Sequence, residues 1–80
     1  MNKPTYTPEQ LKGKYIACTV LMSGKRPVLD AVRYSRGPHV DMPVLYHSIQ
    51  EAKEDQFWDD DCDEVLTAEE YYRRANAQLK

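Results

Sequence analysis

The stretch from Phe57 to Leu66 holds the densest chemistry of the chain: two aromatics, Phe57 and Trp58, then five acidic side chains in the six positions Asp59 to Glu64. Carboxylates this close repel one another. They persist where water solvates them, where cations neutralise them, or where their oxygens converge on a metal. Two kinds of chemistry follow: coordination of a hard cation, or electrostatic docking on a basic surface. The spacing bears on the first. Asp59, Asp61, Asp63, Val65, Thr67 and Glu70 stand at positions 1, 3, 5, 7, 9 and 12 of a twelve-residue window.

With that spacing, an apolar Leu66 at the eighth position and helices expected on either side, residues 57–72 resemble an EF-hand calcium loop. The resemblance implies Asp59, Asp61, Asp63 and Glu70 as carboxylate ligands for Ca²⁺. It departs at the sixth position, where the family has a glycine at positive φ and this chain has Glu64. A side chain there costs about 1 kcal/mol or more in strain and adds repulsion to a crowded loop. EF-hands also pair, and 80 residues leave room for one. Calcium binding is therefore the alternative, not the leading reading.

The leading reading is docking. Asp59, Asp60, Asp61, Asp63 and Glu64, joined by Glu69 and Tyr72, make an acidic face for a larger protein with a basic surface. Such a face, flanked by Phe57, Trp58, Tyr71 and Tyr72, can imitate the phosphates of nucleic acid in a basic groove. Phe57, Trp58, Val65 and Leu66 are expected to anchor the segment in the core, leaving Asp59 to Glu64 as a rigid turn.

Other chemistry is weakly signalled. Cys18, His39, His47 and Cys62 lack CxxC or HxxxH spacing, so zinc is not expected. Carboxylates around Cys62 should raise its pKa and keep the thiol inert. There is no glycine-rich phosphate loop, no GxSxG and no cofactor signature, and an enzyme is not expected. Lys12, Lys14, Lys25, Arg26, Arg33 and Arg36 could line one side of a hairpin. The acidic half would repel a nucleic-acid backbone, so direct nucleic-acid binding is not the reading adopted.

The elements that must position these residues are legible in part. Hydrophobic content of 41% and charged content of 30% suit one soluble globular domain over 1–80, with 1–6 flexible. No apolar run approaches the roughly 20 residues that span a bilayer, and no signal-peptide core follows Met1, so a cytoplasmic location without membrane association is expected. The net charge of −2 hides an asymmetry: residues 1–50 hold seven Lys/Arg against three Asp/Glu, and residues 51–80 hold four against ten.

Thr7 and Pro8 open a short helical turn that Gly13 ends. Lys14 to Met22 alternates as a strand, with Ile16, Cys18, Val20 and Met22 expected on the core face. Ser23-Gly24-Lys25 turns the chain into a returning strand, Val28 to Ser35, in which Asp30 sits awkwardly. Met42 to His47 is a weaker third strand interrupted by Pro43. Ser48 and Glu51 form a capping box for a helix to about Gln56, with Ile49 and Ala52 inward. Thr67 and Glu70 cap a final helix whose stripe is Ala68, Tyr71, Tyr72, Ala75 and Leu79, with Glu69–Arg73 and Glu70–Arg74 pairs along it.

The expected class is α+β: an N-terminal hairpin in a small antiparallel sheet of two to three strands, packed on one face by two C-terminal helices. In size and one-sided charge the chain resembles, in general style, phage or prophage accessory proteins that inhibit host machinery. That resemblance implies a non-enzymatic inhibitor of a host factor. A homodimer, or a self-associating structural subunit built on the opposite patches, is the third reading.

Overall fold

The computed structural model describes residues 6–37 and 41–77. Leu79, His39 and the segment before Tyr6, all named above, lie outside them. In chain order the elements are α1 (Pro8–Leu11), β1 (Tyr15–Ser23), β2 (Arg26–Ala31), β3 (Tyr34–Ser35), β4 (Met42–Pro43), α2 (Ile49–Lys53), β5 (Asp63–Thr67) and α3 (Ala68–Ala77). A three-stranded antiparallel sheet runs β2-β1-β5, and β3 pairs with β4 in a second ribbon. The class is α+β, as composition and periodicity lead one to expect.

Capping chemistry sets the helix starts. Thr7 accepts from the Gln10 amide, and the Gln10 side chain accepts from the Thr7 amide. Leu11-Lys12-Gly13-Lys14 then makes a type II turn: Lys12 has φ −61 and ψ 124, Gly13 has φ 72, and the Lys14 amide donates to the Leu11 carbonyl at 3.1 Å. A two-residue turn, Gly24-Lys25, joins β1 to β2, with the positive φ (65°) at glycine alone. That is the II′ pattern, whose twist matches the flanking strands. Ser48 Oγ accepts from the Glu51 amide, while the Glu51 carboxylate accepts from the His47 amide, one residue before the cap.

β1 is covered on both faces. Ile16 and Cys18 are buried with Leu29, Ala31, Leu11 and the α3 stripe Ala68, Tyr71, Tyr72 and Ala75. On the other face Ala17 is buried with Tyr46 and Ala52, flanked by Val65 and Trp58. The helices therefore clasp the sheet instead of sharing one face. The α3 stripe within the described residues is as the periodicity predicts.

Several expectations are corrected. Val20 and Met22 are not core residues but are 53% and 68% exposed, because α3 and β5 end short of that half of β1. Ile49 is 48% exposed, since α2 is a single short turn and presents only Ala52 inward. The expected strand Val28 to Ser35 starts earlier, at Arg26, and breaks after Ala31. There Asp30 turns its carboxylate onto the Ala31 amide at 2.9 Å, and Tyr34 hydroxyl donates to the same oxygen. Such a local side-chain bond competes with a ladder. Of the expected strand Met42 to His47, only Met42–Pro43 is strand. Tyr46 then forms a lone bridge to Tyr15, on the β1 edge that β2 has left. β5 is unforeseen. It pairs with the first half of β1, from Tyr15 opposite Thr67 to Thr19 opposite Asp63.

A stability comparison checks these placements. Ile16→Ala should lower unfolding free energy by about 2–5 kcal/mol in urea denaturation. Ile49→Ala should change it by no more than about 0.5 kcal/mol.

Candidate functional site

The acidic segment folds as a turn followed by a strand. Asp59 carbonyl accepts from the amides of Cys62 (3.2 Å) and Asp63 (2.8 Å). Asp63 Oδ2 accepts from the Asp59 amide at 2.9 Å, and Asp59 Oδ1 accepts from the Asp61 amide at 3.0 Å. Trp58 Nε1 donates to Asp60 Oδ1. Short aspartate side chains are suited to closing such turns on their own backbone. Asp59, Asp60, Asp61 and Glu64 are exposed and Asp63 is half-buried. None of the ion pairs among the described residues involves Asp59, Asp60, Asp61 or Asp63.

Two other acids nearby are committed to the fold. Glu70 is gripped by Arg73 Nε on one oxygen and Arg74 Nε on the other, both at 2.8 Å. These two hydrogen-bonded guanidinium groups hold its carboxyl down at about 2. Arg73 thus turns to Glu70 instead of forming the expected pair with Glu69. Arg74 also reaches Glu64 at 4.0 Å.

Asp55 is the other. Its Oδ2 accepts from Arg33 (2.8 Å) and Tyr46 hydroxyl (2.6 Å), and its Oδ1 from the Phe57 amide (2.9 Å). Its side chain is 7% exposed. Burial pushes the carboxyl up, but the Tyr46, Phe57 and Arg33 donors together outweigh it and hold it below its ordinary value. Burial and the Asp55 bond push the Tyr46 phenol up to about 12.

Of the residues expected at a partner surface, Asp59, Asp60, Asp61, Asp63 and Glu64 are brought together. Glu69 is exposed in the first turn of α3, at the opposite end of β5. Tyr72 is corrected. It is 5% exposed and packs edge-on against Tyr71 and Tyr6, so neither it nor the fully buried Tyr71 flanks the acids. Phe57 is also corrected, from core to surface: it is 55% exposed, with the Arg33 guanidinium 5.3 Å from its ring centre. Trp58 and Val65 do pack against Ala17, Tyr46 and Ala52, and Leu66 packs on the other face against the cluster of Ile16, Cys18 and the α3 stripe.

The EF-hand window divides among three elements. Asp59 and Asp61 lie in the turn, Asp63 to Thr67 in β5, and Glu70 in α3 under its two arginines. Glu64, where the family needs glycine, is extended backbone opposite Cys18, and its carbonyl accepts from the Cys18 thiol at 3.3 Å. Among the described residues no group of three or more His, Cys, Asp or Glu could hold a metal ion. Cys18 is buried, and desolvation, then the Glu64 charge, push its thiol up to about 12. Cys62 is exposed, and the Asp59 charge above all pushes its thiol up. Lys14 Nζ donates to His47 Nδ1 at 2.9 Å. The basic residues form no single stripe. Lys12 and Lys14 sit before β1 and Lys25 and Arg26 at its far end, a strand of nine residues or roughly 30 Å away.

Among the described residues no helix is long and apolar enough to cross a membrane. Comparison with known proteins gives no family model that matches the chain, and no matching curated protein or solved structure.

Glu70 makes a pH prediction. Its carboxyl titrates lower in the folded chain than in the unfolded one, from 4.5 to about 2. Its contribution to stability is therefore complete above about 4.5 and is lost as pH falls toward 2. Chemical denaturation across that range should show a smaller acid-induced loss for Glu70→Gln than for the native chain. Equal losses would mean that the arginine grip does not stabilise the fold.

Proposed function

We propose that this chain is a non-enzymatic protein-binding module that docks through its acidic turn on a larger partner with a basic surface, one that ordinarily holds nucleic acid. The observation that carries the reading is the contrast between committed and uncommitted acids. Asp55 and Glu70 are each closed off by arginine, whereas Asp59, Asp60, Asp61 and Asp63 form no ion pair among the described residues. Their turn is tied by its own amides, so the charges are held in place before a partner arrives. Preorganised charge of one sign speeds encounter with a complementary surface and loses little entropy on docking.

A ridge of carboxylates over a few residues also competes for the Lys/Arg positions that contact phosphates. Blocking those positions is how such a chain would inhibit its partner, and the size and one-sided charge shared with phage accessory proteins support the same direction. Asp59, Asp60, Asp61, Asp63 and Glu64 are the residues assigned to the contact. Glu69 lies apart from them and Tyr72 is buried, so neither is retained.

The test is affinity capture from native lysate with the native chain and with Asp60→Lys/Asp61→Lys, two exposed positions whose side chains do not close the Asp59–Asp63 bond. A captured partner should bind the native chain more weakly as salt rises, be displaced by nucleic acid, and lose about tenfold or more in affinity to the variant, or about 1.4 kcal/mol. Circular dichroism should show both chains folded. Undiminished binding by the folded variant would refute the assignment.

A further inference from the structure

β5 is an outer strand of the sheet: β1 runs along one side, and among the described residues no strand runs along the other. The register shows which backbone groups face outward. Ala17, opposite Val65, gives its carbonyl to the Val32 amide on the β2 side, and the Ala68 amide reaches inward to the Lys14 carbonyl. By the alternation of an antiparallel ladder, Glu64 and Leu66 spend their backbone groups on β1, while Asp63, Val65 and Thr67 turn theirs away. The Asp63 amide is taken by the Asp59 carbonyl at 2.8 Å. Among the described residues nothing is bonded to the Val65 amide or carbonyl, or to the Thr67 amide.

An open groove lies beside that edge. Ile49 of α2, Trp58 and Val65 line it with apolar surface, and Asp60, Asp63 and Glu64 set three carboxylates there against the single ammonium of Lys53. Ile49 is half-exposed, and Trp58 Nε1 holds the Asp60 carboxylate close to the indole. Arg74 draws on Glu64 at 4.0 Å, whereas Asp60 and Asp63 form no ion pair among the described residues.

We propose that the occupant of this edge is an extended basic segment of the partner, added to the sheet as a strand beside β5. The inference rests on the acidic-turn docking proposed above and names the element of the partner that makes it. Hydrogen bonds to Val65 and Thr67 supply the pairing, and alternate side chains of the added strand fall on the groove side. A lysine or arginine suits that position. Its methylene stem covers Ile49, Trp58 and Val65 while its charge reaches Asp60 and Asp63. Charge also decides against a second copy pairing through the same edge, because two β5 strands side by side would crowd both sets of Asp63 and Glu64 together. The Asp59–Asp63 turn at one end and α3 at the other keep the added strand short.

Amide hydrogen exchange of the purified full chain reads this edge residue by residue. The probe is a short capped peptide alternating lysine with threonine, and its glutamate–threonine counterpart is the control. The basic peptide should slow exchange at Val65 and Thr67 about tenfold or more, with little change at Glu64 and Leu66, which β1 already protects. Val65→Pro deletes an outward amide and leaves the ladder to β1, a change that an edge strand accepts. It should weaken peptide binding about tenfold or more while circular dichroism stays native. If that variant does not fold, the contrast between odd and even amides in the native chain decides alone. A native chain that ignores the basic peptide at millimolar concentration overturns the proposal. So does protection of Val65 that needs no peptide and grows with protein concentration, which means self-pairing. Binding that Asp60→Lys/Asp61→Lys abolishes, but that leaves Val65 and Thr67 unprotected, overturns the added strand and leaves the acidic-turn docking standing. Protection that survives this charge reversal supports the added strand and counts against the acidic-turn reading.

Discussion

Everything in this fold is referred to β1, and the decisive constraint is that its first half is enclosed on four sides. From Tyr15 to Thr19 the strand has β5 along one edge and β2, then Tyr46, along the other. Its two faces are closed by separate clusters, one under α3 and one under α2 and Trp58. A chain this short cannot build two thick cores. It places small side chains where strand and helix approach: Ala17 and Ala52 on one face, and Ala31, Ala68 and Ala75 on the other. Tyr71 and Tyr72 supply the bulk.

The acidic side chains do two different jobs. Asp55 gathers Arg33, Tyr46 and the Phe57 amide, fastening the end of the hairpin, the bridge to β1 and the chain leaving α2 at one point. Glu70 holds two arginines on the surface of α3. These groups are neutralised where they stand. Asp59, Asp60 and Asp61 spend only part of their acceptor capacity on the turn that carries them and leave their charge to solvent. Composition counts all of these alike. Only position separates an acid that holds the fold from one that is available to a partner.

The expectations that failed did so for reasons visible in particular residues. β5 was hidden because Asp63-Glu64-Val65-Leu66-Thr67 has an acid at each of its first two positions and an apolar side chain at each of the next two. With a core on both faces, period-two alternation disappears. Val20 and Met22 continue the apolar alternation of Ile16 and Cys18, but alternation cannot report where covering elements stop. Tyr72 was legible as part of the α3 stripe and was still assigned to a surface, a conflict that helical periodicity alone would have resolved. Phe57 left no such signal: its exposure follows from Asp55 capturing its amide and Arg33 lying over its ring.

Sequence by itself determined the local devices: the caps at Thr7, Ser48 and Thr67, the glycine turns at Gly13 and Gly24, the buried stripe of α3, the α+β class and the concentration of acid after Trp58. Each depends on neighbours within a few residues, where side-chain chemistry and backbone geometry act directly. Tertiary structure alone decided that the acid run is half turn and half strand, that Glu70 belongs to Arg73 and Arg74 and not to a loop, and that β5 accompanies β1 only as far as Thr19 while β2 alone pairs with its outer half. Those outcomes depend on which distant segments share an edge with β1. A strand's partner is set by the best closure of the whole core, and no local pattern encodes it.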